Sequence, residues 1–323
     1  MAITMAQALN TALHDAMAAD DKVVMFGEDV GTLGGVFRIT DKLQETFGET
    51  RCFDTPLAES GIVGSAVGMA LYGYKPVVEM QFDGFTYPAF EQIVSHVAKM
   101  RNRSRGTVTL PIVIRIPFGG GIGAVEHHSE SPEAFFAHVA GLKVVSPGTP
   151  SDGYSLLREA IDSPDPVIFF EPKRRYWLKE EAELPVRTEP IGTAVVRRPG
   201  TTATLFAYGP MVRTCLDTAA AAEQEGWDLE VVDLRSLNPL DTATIVGSVE
   251  RTGRAVVVHE AQVFAGFGAE VAAQVTEHAF YSLEAPVLRV GGFDVPYPAA
   301  KLEEFFLPDV DRILDAVDRS LAF

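Results

Sequence analysis

Cysteine is almost missing from this chain: Cys52 and Cys215 are the only two in 323 residues, and they lie far apart. That excludes a disulfide framework and zinc-ligand spacing, and it predicts a reducing compartment with the cytoplasm as the default. Positive charge is scarce too, with 27 Lys and Arg against 44 Asp and Glu and a formal net charge of −17. A surface of that sign repels phosphate backbones and anionic membranes, so neither nucleic acid nor a membrane is an expected partner. No apolar run reaches the ~20 residues that span a bilayer, and the run over 62–74 is too short. The opening MAITMAQALNTALHDAMAADD has no basic leader and does not read as a signal peptide. Met5, Leu9, Leu13 and Met17 repeat at helical spacing behind Thr4, which predicts a capped helix.

Several motifs of chemistry are absent. No glycine-lysine dipeptide supports a Walker loop, no H-E-x-x-H supports a zinc protease, and no G-x-S-x-G supports a serine nucleophile elbow. GGGIGA and AGFGAEV lack the full dinucleotide fingerprint. The basic clusters KMRNRSR and KRRYW, set against the acidic total, read as ion-paired or subunit-contact surfaces.

What is present is length and rhythm. The chain can bury the cores of about two domains, and 47% hydrophobic with 22% charged residues is an ordinary globular balance. KVVMFGE, KPVVEM, LPIVIRIP, LKVVSP and PVIFFEP read as strands, with helices over 87–105, 131–140 and 150–162, which predicts a parallel sheet covered on both faces. Beyond Pro172 the rhythm breaks into a charged, proline-containing stretch. It resumes with TATLFAYG, LEVVDL, RAVVVHEA and PVLRVGG and with helices near 211–225, 241–251 and 266–280. The expected division is a first domain over 1–180, a linker over 181–200 and a second, smaller α/β domain over 201–323.

Open α/β sheets bind ligands beyond the carboxyl ends of their strands. Those positions hold Glu28 and Asp29 in GEDVGTLGG, the aromatics Phe82, Phe85, Tyr87 and Phe90 in QFDGFTYPAF, and His127 and His128 behind a glycine-rich loop. DTPLAESGIVGSAVGMALYGY predicts a helix with Asp54 and Thr55 as caps and Pro56 in its first turn. Glu59 is the acid at its mouth. It either complements the helix dipole or, among apolar neighbours, holds a proton for a ligand nitrogen. Gly61, Gly64 and Gly68 cost roughly 1 kcal/mol each in a helix, which predicts close approach of a ligand or another backbone. The aromatics fit either a core or a ligand wall, and the paired histidines fit either a plain loop or proton transfer. His138 and His259 read as helix-packing and strand-end residues.

Taken together, FGEDVGTLGGVFR, DTPLAESGIVGSAVGMALYGY, EMQFDGFTYPAFEQI, IPFGGGIGAVEHHSESPEAFFAHVAGLKVVSP and DPVIFFEPKRRYW resemble the beta subunit of the thiamine-dependent 2-oxo acid dehydrogenases, the decarboxylating first component of those complexes. VVDLRSLNPLDTATIVGSVERTGRAVVVHEA and LEAPVLRVGG extend the resemblance over essentially the whole chain. It implies a thiamine-diphosphate pyrimidine-type parallel-sheet domain followed by a transketolase C-terminal-like α/β domain. In that family the beta subunit holds the aminopyrimidine ring, while an alpha subunit holds the diphosphate and magnesium through a G-D-G motif. This chain has no G-D-G, which fits a half-site.

By resemblance, Glu59 matches the acid that hydrogen-bonds the aminopyrimidine and drives it to its imino form. Glu28, Leu57, Ala58 and Gln81 match positions lining that ring, and Phe85 matches the aromatic packed on it. Phe82 and His128 match the substrate end, with His128 expected to assist acyl transfer to a lipoyl arm. The family's monovalent cation, potassium, maps to Ile112, Ala160, Ile161, Ser163 and Asp165, although Ser163 departs from the acid often found there.

The implied partners are an alpha subunit in an alpha2-beta2 heterotetramer, a lipoyl-bearing acyltransferase and a small 2-oxo acid. QFDGFTYPAFEQI and HHSESPEAFFAH look closer to the branched-chain type, with the pyruvate type as the alternative. From other classes, a non-catalytic scaffold or regulatory subunit predicts no thiamine binding, and a nicotinamide-dependent dehydrogenase predicts cofactor reduction by this chain alone.

Overall fold

The computed structural model describes residues 2–323. The helix expected at the N-terminus spans Met5–Ala19. Thr4 Oγ1 accepts from Gln7 N at 3.2 Å and Gln7 Oε1 accepts from Thr4 N at 2.9 Å, a reciprocal capping box. This helix packs on Pro150–Asp162 with its apolar face buried. Gly153 makes that approach possible, because a Cβ there would lie 2.5 Å from Met5 Sδ.

Seven strands form the first sheet, in the order Ser236–Asn238, Lys143–Val145, Val167–Pro172, Val113–Phe118, Lys75–Glu79, Val23–Gly27 and Cys52–Asp54. All neighbours run parallel except the first pair. That antiparallel edge strand comes from the second half of the chain. Apart from buried Glu79, Arg115 and Glu171, the strand interiors are mostly apolar and buried on both faces, as expected of a sheet covered by helices on each side.

A second sheet of five strands has the order Leu288–Gly292, Ala255–Gln262, Ala203–Ala207, Leu229–Asp233 and Val195–Arg198. Residues 195–198, within the stretch expected to be a linker, thus form its antiparallel edge. Asp152 of the first half accepts from Arg235 Nε at 2.9 Å and also pairs with Arg197. Both arginines belong to the second half, and the Arg235 and Asp152 side chains are fully buried. Among the described residues, no helix is long and apolar enough to cross a membrane.

Several expected elements differ in extent. The helix expected from residue 54 begins at Glu59 and runs to Leu71. Asp54 is still paired with Gly27 in the sheet, its Oδ1 accepts from Gly31 N at 2.6 Å, and Thr55 N donates to Gly27 O at 2.9 Å. Pro56 holds Thr55 extended, so neither residue caps the helix. The cap is Ala58, which has no side-chain acceptor to offer. The helix expected over 87–105 is broken into a 3-10 segment Asp83–Ala89, a single turn Phe90–Gln92, a π turn Ile93–Val97 and a short helix Met100–Arg103. Pro88, inside the first piece, has no N–H to donate to an α pattern. The helix expected over 131–140 spans only Glu133–Ala137. His138 just after it is exposed rather than packed.

His259 lies inside the strand Ala255–Gln262 and is fully buried. Its Nδ1 faces Ala261 O at 3.0 Å and its Nε2 has no partner. Burial pushes its pKa down to about 4. The neutral ring is favoured in the fold, so its contribution to stability is present above the unfolded value near 6.5 and is lost as pH falls toward 4. This single site accounts for about 3 kcal/mol across that window. Denaturant titrations of the chain at pH 6.5 and pH 5 are expected to show a drop in stability that shrinks by roughly 2 kcal/mol in His259→Gln. An unchanged drop in that variant means that burial does not depress the pKa of the ring in the fold.

Candidate active site

The carboxyl ends of four parallel strands converge, and the residues just beyond them build the site. Glu28 follows Val23–Gly27, Glu59 lies a few residues past Cys52–Asp54, Gln81 to Phe85 follow Lys75–Glu79, and His128 ends the loop leaving Val113–Phe118. Glu28 and Glu59 are both 6% exposed. Neither oxygen of Glu28 has a hydrogen-bond partner. Burial, reinforced by the charges of Glu59, Asp29 and Glu79, pushes its pKa up to about 7. An acid so placed holds or releases a proton near neutrality. Glu59 starts a helix whose first amides lack a side-chain cap, where a negative charge is favoured by the dipole.

Below these acids lies a group whose assembly was not legible in sequence. Arg115 donates to Glu171 from Nε at 2.6 Å and Nη2 at 3.0 Å, and to Glu79 from Nη1 at 2.7 Å. Tyr176 OH donates to Glu171 Oε2 at 2.7 Å. All four side chains are buried, and two carboxylates share one guanidinium. The residual negative field helps to hold the proton on Glu28. Gln81 Nε2 donates to Asp29 Oδ2 at 2.8 Å, closing the rim.

The aromatic residues form a wall beside the acids. The Phe82 ring stacks on the His128 ring at 4.0 Å and 15° between planes, and Phe85 meets His128 edge-on at 5.1 Å. Phe37 lies edge-on to Phe82 at 5.8 Å. His127 packs less closely, with its ring 6.4 Å from Phe85. Buried Lys173, from KRRYW, pairs with Asp83, donates to the main-chain oxygen of His128, and lies 5.4 Å from the centre of the Phe82 ring. The ion pairing expected of that cluster is made at Lys173, but in the interior rather than on a surface. Trp177 beside it is exposed. Asp83 and Lys173 are site-building residues that sequence reasoning missed; the signal was an acid inside QFDGF and a lysine directly after a strand.

Leu57 and Ala58 face solvent just before Glu59. The helix that follows exposes Gly61 and Gly68, and its end exposes Leu71 and Tyr72. A Cβ on Gly68 would meet nothing within 4 Å, and one on Gly61 or Gly64 would meet only ordinary contacts at 3.8 Å. The close approach expected at these glycines is therefore not made by this chain.

Ile112, Ala160, Ile161, Ser163 and Asp165 gather at the C-terminal end of the helix Pro150–Asp162 and the strand beside it. Ile112 O accepts from Val167 N at 2.9 Å and Ala160 O accepts from Ser163 N at 3.2 Å. Ser163 Oγ accepts from Lys143 Nζ at 3.0 Å, and Asp165 Oδ1 faces Arg101 Nη1 at 2.5 Å. Ser163 Oγ and Asp165 Oδ1 already face cationic donors, so a cation here would rest largely on main-chain carbonyls. Among the described residues, no group of three or more His, Cys, Asp and Glu side chains could hold a metal ion.

Residues 1–177 match the family model "Transketolase, pyrimidine binding domain", and residues 192–313 match "Transketolase, C-terminal domain". The chain is 58% identical over 320 residues to the 3-methyl-2-oxobutanoate dehydrogenase subunit beta of Mycobacterium tuberculosis, covering 99% of this chain and 92% of that protein. It is equally 58% identical over 321 residues to the pyruvate dehydrogenase E1 component subunit beta of Leifsonia xyli, covering 99% and 95%. The 2-oxoisovalerate dehydrogenase subunit beta of Pseudomonas aeruginosa is 47% identical, covering 98% and 94%. Among solved structures, a split gene transketolase described as an inactive beta4 tetramer superposes with a TM-score of 0.83 at 26% identity, covering 99% of this chain and 98% of that one. With both domain models in order and relatives of this identity along the whole length, the chain belongs to the family of 2-oxo acid dehydrogenase beta subunits.

Proposed function

We propose that this chain is the beta subunit of a branched-chain 2-oxo acid dehydrogenase, acting with an alpha subunit in an alpha2-beta2 heterotetramer to decarboxylate the 2-oxo acid and pass the acyl group to a lipoyl-bearing acyltransferase. The observation that carries the reading is the buried, unpartnered carboxyl of Glu28 beside Glu59 at the strand ends. An unsatisfied buried polar group costs about 1–3 kcal/mol. A scaffold gains nothing from that cost, whereas a site that receives a nitrogen-rich ring does.

The residues present fit the aminopyrimidine half of thiamine diphosphate, which when bound supplies the electron sink for cleavage next to a carbonyl. Glu59 would accept from or protonate a ring nitrogen, and Glu28 would hold the proton inventory beside it. Phe85 offers an apolar wall, while Gln81 and the exposed Leu57 and Ala58 supply the rim. Phe82 and His128 stand at the substrate end, with the imidazole fixed by stacking and available for proton transfer during acyl transfer. The diphosphate and magnesium are assigned to the alpha subunit, whose seat is the exposed glycine face of the helix Glu59–Leu71. Potassium would rest on main-chain carbonyls among Ile112, Ala160, Ile161, Ser163 and Asp165, because Lys143 and Arg101 already face the Ser163 hydroxyl and Asp165 Oδ1.

The pyruvate type is the second reading, favoured by the Leifsonia relative at the same identity. The two are separated by co-purifying the chain with its alpha partner and comparing kcat/KM for 3-methyl-2-oxobutanoate and pyruvate. The branched substrate is expected to lead by about tenfold or more, the worth of one or two methyl groups in a fitted pocket. The reverse order reassigns the substrate, and turnover of neither acid sinks the enzymatic reading.

A further inference from the structure

The loop that delivers His128 is held by the other domain. Its neck is closed by Gly119 N donating to Glu130 O at 2.8 Å, and between those points it has no regular pairing except the single 3-10 turn Glu126–His128. Gly119, Gly121 and Gly123 adopt left-handed backbone, with φ of 79°, 84° and 71°. In that conformation three loop amides find acceptors on two second-domain carboxylates. Gly120 N donates to Glu260 Oε2 at 3.0 Å, Gly121 N to Glu303 Oε1 at 2.7 Å and Gly123 N to Glu303 Oε2 at 3.0 Å.

These carboxylates are themselves placed. Glu260, near the end of the strand Ala255–Gln262, also takes Arg174 Nη1 at 3.0 Å. Glu303 takes Tyr297 OH at 2.6 Å, and that phenol lies so close to the loop that a Cβ on Gly120 would be 1.7 Å from its oxygen. Both acids and the tyrosine are at most 6% exposed. The segment carrying Tyr297 and Glu303 is anchored in turn: the Tyr297 ring packs on Phe306 at 5.0 Å, and Arg312 donates to Phe306 O at 3.0 Å. Burying two charges on a neighbour's main chain is costly unless every oxygen is matched. Here the four carboxylate oxygens accept from three glycine amides, Arg174 and Tyr297.

We infer that the second domain acts as a clamp on the reaction loop, with Glu260, Glu303 and Tyr297 as positioning residues that hold His128 against Phe82. The first domain holds the far end of the loop, through Lys173 on His128 O and Asp83 Oδ2 on Glu130 N. Without the carboxylates, the amides of Gly120, Gly121 and Gly123 lose their acceptors while the sheet beneath is untouched. This rests on the reading of His128 as an acyl-transfer residue, but the clamp itself is measurable without turnover.

The test uses the alpha-beta complex with Glu303→Gln and Tyr297→Phe. In the glutamine variant one amide faces an NH2 group instead of an acceptor; the phenylalanine variant, which keeps the ring, remains informative should the first fail to fold. Hydrogen exchange of the 119–128 amides is expected to speed up by about tenfold or more in Glu303→Gln, with the second-domain strands unchanged. Lipoyl acylation is expected to fall by about tenfold, while dye-coupled decarboxylation and the Kd for thiamine diphosphate change by less than about threefold. Unchanged loop exchange overturns the clamp, as does faster exchange spread evenly over the second domain. Faster loop exchange with equal losses in both assays overturns its role in positioning. A wild-type complex inactive on every 2-oxo acid defeats the functional reading alone, since the exchange result still decides the clamp.

Discussion

Glu59→Gln is expected to abolish turnover by the reconstituted complex, a loss of at least about 10²-fold, while leaving assembly intact. Glutamine keeps the shape of the side chain at the head of the helix Glu59–Leu71 but neither takes nor gives up a proton at neutral pH. A second consequence has the opposite sign. Glu59 is the largest charged contributor to the raised pKa of Glu28, after burial itself. A carboxyl whose folded pKa stands at about 7, above its ordinary 4.5, contributes stability below the ordinary value and loses it as pH rises through 7. Removing the neighbouring charge lowers that folded pKa. At pH 8, relief of this repulsion is therefore expected to make the variant more stable than the parent. Thermal unfolding at pH 8 and decarboxylation by the complex check the two halves. Full activity in the variant would falsify the role of Glu59, and a lower Tm at pH 8 would remove the coupling to Glu28.

Gly68→Leu is expected to separate folding from assembly. Gly68 lies on the exposed side of the helix with open space where its Cβ would stand. In the isolated chain a leucine there removes a helix-interior glycine and is expected to stabilise the fold by about 0.5–1 kcal/mol. In the complex the same side chain would stand where a partner backbone approaches, beside exposed Leu71 and Tyr72. Association with the alpha subunit is expected to fall below detection in size-exclusion or sedimentation measurements. If the variant assembles normally, the glycines do not serve a close approach and another face must carry the alpha subunit. Both outcomes can be read on one preparation, because the isolated chain gives the stability and the mixture gives the assembly.

Much of the site was legible because its parts are local. Thr4 and Gln7 announce the first helix through a contact three residues long, and the strands announce themselves by apolar runs. Glu28, Gln81, Phe82, Phe85 and His128 stand just beyond strand ends, where an α/β sheet offers its ligand crevice. The start of the helix at Glu59 was less legible. Asp54 and Thr55 have the chemistry of caps, but their hydrogen bonds go to Gly31 and Gly27 in the neighbouring turn and strand.

Sequence alone determined the α/β architecture, the family and the residues that meet at the strand ends, since each depends on neighbours within a few turns of chain. Tertiary structure alone decided which charges share a buried site. Arg115 reaches Glu171 across 56 residues, and Gly121 reaches Glu303 across 182. It also decided that Ser236–Asn238 completes the first sheet and that Gly61 and Gly68 are left open to solvent. The physical reason is that a buried carboxylate must find its donors wherever the fold brings them. No local pattern records where those donors lie in the chain.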